Sequence, residues 1–440
     1  MGWALSGDTS KRAELGEIFT RDFVLLATVN LAMFFGFQMT TVGIPVYMAQ
    51  LGAEAHIVGL ATTLMTVTAT AVRVFSGAML DRFGRGGLLV GGIFVMLCSI
   101  ISYAVFPVVG IIMGLRLVQG IGWGAGSTAS STMAADIIPK RRFAEGMGYF
   151  ALTNAISSAL APAVSIELAQ GAGGAYMVYV AAAVVALSLA LSIVQVLLSR
   201  KDGKPKDATP RGGVSEGGAS GQGSQGGNSG RQAGFELAAN PHGVSPANAP
   251  GSKFDVLFER RAFIPSALTL FVNIGFGCIT TFIALHAAVQ GVGNVTPYFI
   301  VYAVVTLVSR PAIGRLIDRF GYRVPAILST LCTAGTLALI GASSNVFMFA
   351  LAGVLGGLGL GTAMGTFQAM AVASVEPWRR GVATSTYMTA FDLGIAIGSL
   401  VGGLLANACG YSVMYFVMAL FPLAACMLSF VLVKAGGPRA

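Results

Sequence analysis

Arg73-Val-Phe-Ser-Gly77-Ala-Met-Leu-Asp81-Arg82-Phe83-Gly84 closes one apolar run of this chain, and Arg310-Pro-Ala-Ile-Gly314-Arg-Leu-Ile-Asp318-Arg319-Phe320-Gly321 closes another. Both fit R-x3-G-x3-D-R-F-G without a gap, 237 positions apart. The same offset carries Gly120, Gly122 and Gly124 onto Gly357, Gly359 and Gly361. Fainter echoes set Ile18–Phe23 against Leu257–Phe263, Asn30 against Asn273, and Arg141-Arg142 against Arg379-Arg380. Self-similarity at a fixed offset marks a duplicated architecture, so the chain reads as two copies of one unit.

The unit is a bundle of membrane helices. Lys+Arg 27 and Asp+Glu 18 amount to 10% of the 440 residues, where a soluble domain carries about 25%. With 55% hydrophobic residues and 59 glycines, the chain cannot present a water-compatible surface. A transmembrane helix needs about 20 mainly apolar residues. Such stretches fall at 23–49, 57–80, 87–106, 108–136, 144–170, 173–198, 262–288, 297–317, 324–343, 346–373, 381–406 and 411–433. This predicts an all-α membrane protein of twelve helices in two pseudo-symmetric six-helix bundles, 23–199 and 254–440. A polar leader, 1–22, precedes the first span. Residues 200–253, rich in Gly, Ser, Asn and Gln, cannot bury enough apolar area to offset their ordering entropy and read as a disordered tether.

Apart from Arg73, Arg116 and Arg310, every Lys and Arg falls on one side: the N-terminus, the even-numbered connections, the tether and the C-terminus. The positive-inside rule then places both termini in the cytoplasm. Anionic headgroups and this asymmetry account for the net charge of +9, and nucleic acid is not an expected partner. Both halves start on the same side, which makes them parallel repeats related by an axis along the membrane normal. Five scattered cysteines, mostly inside apolar runs, imply neither a disulfide framework nor a metal site.

The first copy of the repeated motif, with Arg85 behind it, resembles the signature loop of the major facilitator superfamily, and the second sits where that family repeats it. Leu115-Arg116-Leu-Val-Gln119-Gly120-Ile-Gly122 is similar to the family's fourth-span motif. Ala159-Leu-Ala161-Pro162 resembles the fifth-span motif of its antiporters, with Pro162 as the helix kink and alanine where glycine is usual. The whole is most similar to the twelve-span drug and sugar efflux members. This resemblance implies a gating latch between the halves. Arg73, Gly77, Asp81, Arg82, Arg85 and Asp136 would form it, with Arg310, Gly314, Asp318, Arg319 and Arg323 as the second copy. Asp81 would pair with arginines or dock on a helix N-terminus, and Gly77 and Gly314 would allow close backbone approach.

A charge deep in a span costs about 2.5–3.5 kcal/mol on insertion scales, so Arg116 and Asp392, near mid-span, are the candidates for coupling. Desolvation penalises the charged form of a carboxylate, which suits Asp392 to carrying a proton; a structural hydrogen bond is the competing reading. Arg116 would either attract an anionic group or bond backbone carbonyls. Asn30, Gln38, Gln119, Asn154, Asn273 and Gln368 are candidate cavity residues, because amides both donate and accept; each could equally join two helices. The chain lacks a metal, nucleophile or phosphate-loop pattern. It is therefore expected to be no enzyme, to use no cofactor and to work as a monomer.

The expected function is secondary active transport across the cytoplasmic membrane by alternating access, moving a small molecule with protons as the coupling ion. Proton-coupled efflux leads. A proton-linked importer or uniporter is the alternative, and a non-transporting sensor or scaffold of the same fold is the alternative of another class.

Overall fold

A computed structural model describes residues 19–201, 259–376 and 379–433. Most of the expected leader and nearly all of the tether lie outside the described residues. The first half contains α1 (Arg21–Gln50), α2 (Ala55–Phe83), α3 (Arg85–Val105), α4 (Val109–Ile137), α5 (Phe143–Gly171) and α6 (Gly174–Lys201). The second contains α7 (Phe263–Val289), α8 (Thr296–Phe320), α9 (Arg323–Ala342), α10 (Val346–Ala373), α11 (Arg380–Met418) and α12 (Leu420–Leu432). Thr20 caps α1 by accepting from the Phe23 amide at 3.3 Å, in line with the preference for hydroxyl side chains there.

Helix α11 is two spans in one. The apolar stretch Val382–Leu432 runs 51 residues, about 75 Å at 1.5 Å per residue, more than twice a bilayer core of about 30 Å. Gly410 breaks it with φ 80° and ψ 164°, a conformation that a side chain resists. From Tyr411 the chain runs back through Ala419, whose dihedrals stay helical, into α12. Helix α8 bends by 46° between Thr296–Arg310 and Ala312–Phe320, at Pro311, which has no N–H to donate. With these two adjustments the described helices make twelve spans. Helices α2 and α8 continue past their expected ends through the repeated motif, to Phe83 and Phe320.

The packing repeats as the sequence does. In the first half α1 packs on α5 and α6, α4 on α2 and α3, and α3 on α6; in the second, α7 packs on α11 and α12, α10 on α8 and α9, and α9 on α12. The repeated glycines explain the closest of these contacts. A Cβ at Gly120 would sit 2.4 Å from the Met65 carbonyl oxygen, and one at Gly122 2.7 Å from that of Gly92. The equivalents meet the Tyr302 carbonyl at 2.9 Å from Gly357 and the Thr333 amide at 2.6 Å from Gly359. Close backbone approach at small residues is how membrane helices gain packing when apolar burial gives no preference between lipid and protein. The halves meet through α2 with α11, α5 with α8 and α1 with α7. The α2/α11 and α5/α8 seams exchange under the repeat.

Candidate functional site

Both halves line a narrow cleft, about 270 Å³ of space between side chains that is partly open to solvent. Gln38 of α1 with Ser158 and Pro162 of α5 forms one wall; Phe276, Ile279 and Thr280 of α7 with Tyr298, Phe299 and Tyr302 of α8 form the other. Gln38 donates from Nε2 to Ser158 Oγ at 3.2 Å. Aromatic faces with one amide and a few hydroxyls suit a small organic molecule whose body is apolar and whose polar groups are few. Among the described residues, no group of three or more His, Cys, Asp or Glu side chains is arranged to hold a metal ion.

Of the six candidate amides, Gln38 lines the cleft, and the others are placed elsewhere. Asn30 is fully buried. It donates to Thr153 Oγ1 and Asn154 Oδ1, each at 2.7 Å, and accepts from Ser130 Oγ at 2.9 Å. It thus ties α1 to α4 and α5. Asn154 is half-buried beside it. Gln119 is buried inside the first half, accepting from Tyr103 at 2.7 Å and donating to Thr40 Oγ1 at 2.8 Å. Asn273 is buried at the α7/α11 contact, where it donates to the Thr269 carbonyl at 2.8 Å while its Oδ1 has no partner among the described residues. Gln368 is exposed on α10. An apolar surround leaves an amide to seek protein partners, so Asn30 and Gln119 turn toward neighbouring helices rather than the cleft. Ser158, Thr280, Tyr298 and Tyr302 were missed. The spacing of the two tyrosines, one helical turn apart, was a signal for a shared face.

Arg116 is fully buried. Its guanidinium donates to the Thr40 carbonyl and to Gln119 Oε1, both at 3.1 Å, and joins α4 to α1 away from the cleft. This is the carbonyl-bonding arrangement. Arg116→Ala would leave the Thr40 carbonyl without its charged donor and open a cavity among four helices. Deleting hydrogen bonds to a buried charged group costs on the order of 3 kcal/mol. The expected result is a marked fall in melting temperature in detergent; an unchanged melting temperature would show that the arginine is not structural.

Asp392, also buried, forms an ion pair with Arg73 across the α2/α11 seam. Thr70 Oγ1 donates to the same carboxylate oxygen at 3.3 Å, and Arg73 reaches Ser127 Oγ of α4 at 3.5 Å. The acid without a sequence-local cation thus has one 319 residues away. Side chains expected in a latch and in a coupling site form one pair that bridges the halves.

The end of the bundle that carries most of the arginines, called here the basic end, holds most of the remaining motif residues. Arg85 pairs with Asp136. Arg82 lies over Phe83 and Arg319 over Phe320, at 5.5 and 5.1 Å from the ring centroids. Arg323 donates to the Phe430 carbonyl at 2.8 Å. Asp318 is exposed, and burial together with the Asp318 charge pushes the phenol of the loop residue Tyr322 up. The side chain of Asp81 and the surroundings of Gly77 lie outside what is described. Gly314, expected at a close backbone approach, faces open space, because no helix packs on that face of α8 in this arrangement.

The opposite, charge-poor end is closed. A Cβ at Gly59 would stand 2.2 Å from the Ser399 carbonyl oxygen, and one at Gly403 2.7 Å from that of Ala55. Thr63 Oγ1 donates to the Ala396 carbonyl at 2.9 Å. In the other seam Glu167 of α5 accepts from Asn294 Nδ2 at 2.8 Å and from Thr296 Oγ1 at 3.5 Å.

The sequence profile of the Major Facilitator Superfamily matches residues 26–312 and 295–440. The staphylopine export protein of Staphylococcus aureus (strain Mu50 / ATCC 700699) is 19% identical over 422 residues, which cover 95% of this chain and 97% of that protein. The multidrug resistance protein MdtG of Dickeya zeae (strain Ech586) is 28% identical over 173 residues, 37% of this chain and 41% of the relative. Among solved structures, a POT family transporter in complex with a thioalcohol conjugated peptide superposes with a TM-score of 0.70 at 15% identity, covering 93% of this chain and 96% of the other. The nucleoside transporter NupG superposes with a TM-score of 0.67 at 11% identity, covering 94% and 100%. At these identities the structural likenesses concern the fold alone.

Proposed function

Since the chain belongs to the major facilitator superfamily, we propose that it exports a small organic molecule from the cytoplasm, driven by protons returning through it. It would reside in the cytoplasmic membrane as a monomer, with both termini in the cytoplasm. The observation that carries this reading is the Arg73–Asp392 pair. A carboxylate buried between two halves that must part is both a proton acceptor and a clasp. Protonation removes its charge and with it the attraction across the seam, so proton arrival and the movement of the halves become one event.

The names of the relatives support export: one is a staphylopine exporter and another a multidrug resistance protein. The closed charge-poor end, with the Gly59–Ser399 and Glu167–Asn294 contacts, fits a state in which the cleft is reached from the basic, cytoplasmic end. Alternating access then requires these contacts to break while the glycine-packed helices inside each half stay together. Rigid halves moving against each other are what a two-state element demands.

Everted membrane vesicles holding an acid interior provide the test. Staphylopine serves as the trial substrate, and release of lumenal protons is followed by a pH-sensitive dye. We expect proton release on addition of a transported substrate, and its loss in Asp392→Asn. Uptake that ignores both the pH gradient and this substitution would remove proton coupling from the reading.

A further inference from the structure

The two seams are copies, yet only one carries an ion pair among the described residues. The repeat places Arg310 of α8 where Arg73 lies in α2. Running α5 onto α11 from Arg141-Arg142 and Arg379-Arg380 sets Tyr149 on Tyr387 and Asn154 on Asp392. By the repeat, the α5/α8 seam has the equivalent arginine but an amide in the place of the acid. Asn154 turns its Oδ1 inward to Asn30 at 2.7 Å. Arg310 is exposed and forms no hydrogen bond or ion pair with any described residue.

Arg310 is not a surface residue by position. It ends the straight segment Thr296–Arg310 at the bend of α8, ten residues before Phe320, about 15 Å of helix from the basic end. Two turns in the other direction stands Tyr302, which lines the cleft. A guanidinium at such a depth is costly without a counter-charge. It presents a planar fork of donors that matches a carboxylate better than any other common group.

We propose that Arg310 recognises a carboxylate of the transported molecule, so that the substrate supplies in the α5/α8 seam what Asp392 supplies in the α2/α11 seam. The substrate class is an organic acid or zwitterion. Its apolar or ring body lies against Phe276, Phe299 and Tyr302, and its acid group points along α8 toward the basic end. A loaded substrate then closes the second seam as Asp392 closes the first, which links occupancy to the movement of the halves. The inference rests on the transport reading for its purpose, but its binding step can be measured apart from transport.

The purified full-length chain in detergent is titrated with 1-naphthylacetate and with its neutral counterpart 1-naphthylacetamide, following the melting temperature, which rises with ligand by mass action. The anion is expected to stabilise the wild type saturably and the amide far less. Arg310→Gln should weaken the anion by on the order of tenfold to a hundredfold, the range for a lost hydrogen bond to a charged group, and level it with the amide. Arg310→Lys should retain part of the preference, and Arg315→Gln, at an exposed arginine nearer the basic end, all of it. Because Arg310 bonds to no described residue, Arg310→Gln should melt near wild type without ligand. Equal shifts from anion and amide, no shift from either, or an anion shift that survives Arg310→Gln would each overturn the assignment. Vesicle transport without anion preference would discard Arg310 and keep the transporter; anion binding that needs Arg310, without substrate flux, would do the reverse.

Discussion

Asp392→Ala is expected to weaken the closed α2/α11 seam by about 3 kcal/mol, the low end of what breaking a buried ion pair costs. The low end applies because the Arg73 side chain keeps 24% of its surface exposed against 9% for Asp392 and also reaches Ser127. The two members are not equivalent. A carboxyl left by Arg73→Ala can take up a proton and become neutral, whereas the Arg73 guanidinium, deprived of its buried carboxylate by Asp392→Ala, cannot shed its charge. Asp392→Ala should therefore be the more damaging substitution, and the double variant milder than Asp392→Ala alone. A shift of 3 kcal/mol is about a hundredfold in the balance between arrangements, enough to show as a changed distance distribution between spin labels at the exposed positions 74 and 393. If Arg73→Ala is the worse of the two, or the two effects add without coupling in a double-mutant cycle, the pair does not hold the seam.

Gly59→Leu should produce the second large effect, by wedging rather than by charge. Its Cβ would meet the Ser399 carbonyl oxygen at 2.2 Å and the Gly403 Cα at 3.2 Å, backbone atoms that cannot turn aside. Overpacking of this kind costs about 1–3 kcal/mol. Here α2 and α11 belong to different halves and can separate as bodies, so the strain is relieved by opening the charge-poor end. In a chain freed of its native cysteines, Thr63→Cys should then react at least about tenfold faster with a membrane-impermeant thiol reagent applied from that end. Gly398→Leu is the contrast. Its Cβ would lie 2.0 Å from the Ile274 carbonyl oxygen, on α7 of the same half, where no rigid-body movement relieves the clash. We expect that variant to melt much lower or fail to accumulate. Unchanged Thr63→Cys labelling in a folded Gly59→Leu protein would mean that the α2/α11 contact does not close that end.

Much of the molecule was legible without coordinates, for reasons that particular residues make plain. Runs of about 20 apolar residues have no stable state but membrane helices, and one-sided arginines order them. The motif from Arg73 to Gly84 and its copy from Arg310 to Gly321 declare a duplication, and the glycines of α4 and α10 declare their tight contacts. Arg116 and Asp392 stood out because charge is costly in a bilayer. Even the asymmetry of the seams, Asn154 against Asp392, was within reach once the repeat was extended along α5 and α11.

Tertiary structure decided which way each helix faces. In water an apolar stripe against a polar one fixes the buried side of a helix. In a bilayer both the lipid side and the protein side are apolar, and that guide is lost. Asn30 and Gln119 could thus be taken for cavity residues although they join helices, and the one-turn spacing of Tyr298 and Tyr302 marked a shared face without telling that it lines the cleft. Partners distant in the chain are hidden for the same reason: nothing local in either segment tells Arg73 that its counter-charge is Asp392. The amino-acid sequence by itself determined that there are twelve spans, two halves and two costly mid-span charges. The folded bundle alone decided what those charges meet, because only the rotation and approach of packed helices brings such residues face to face.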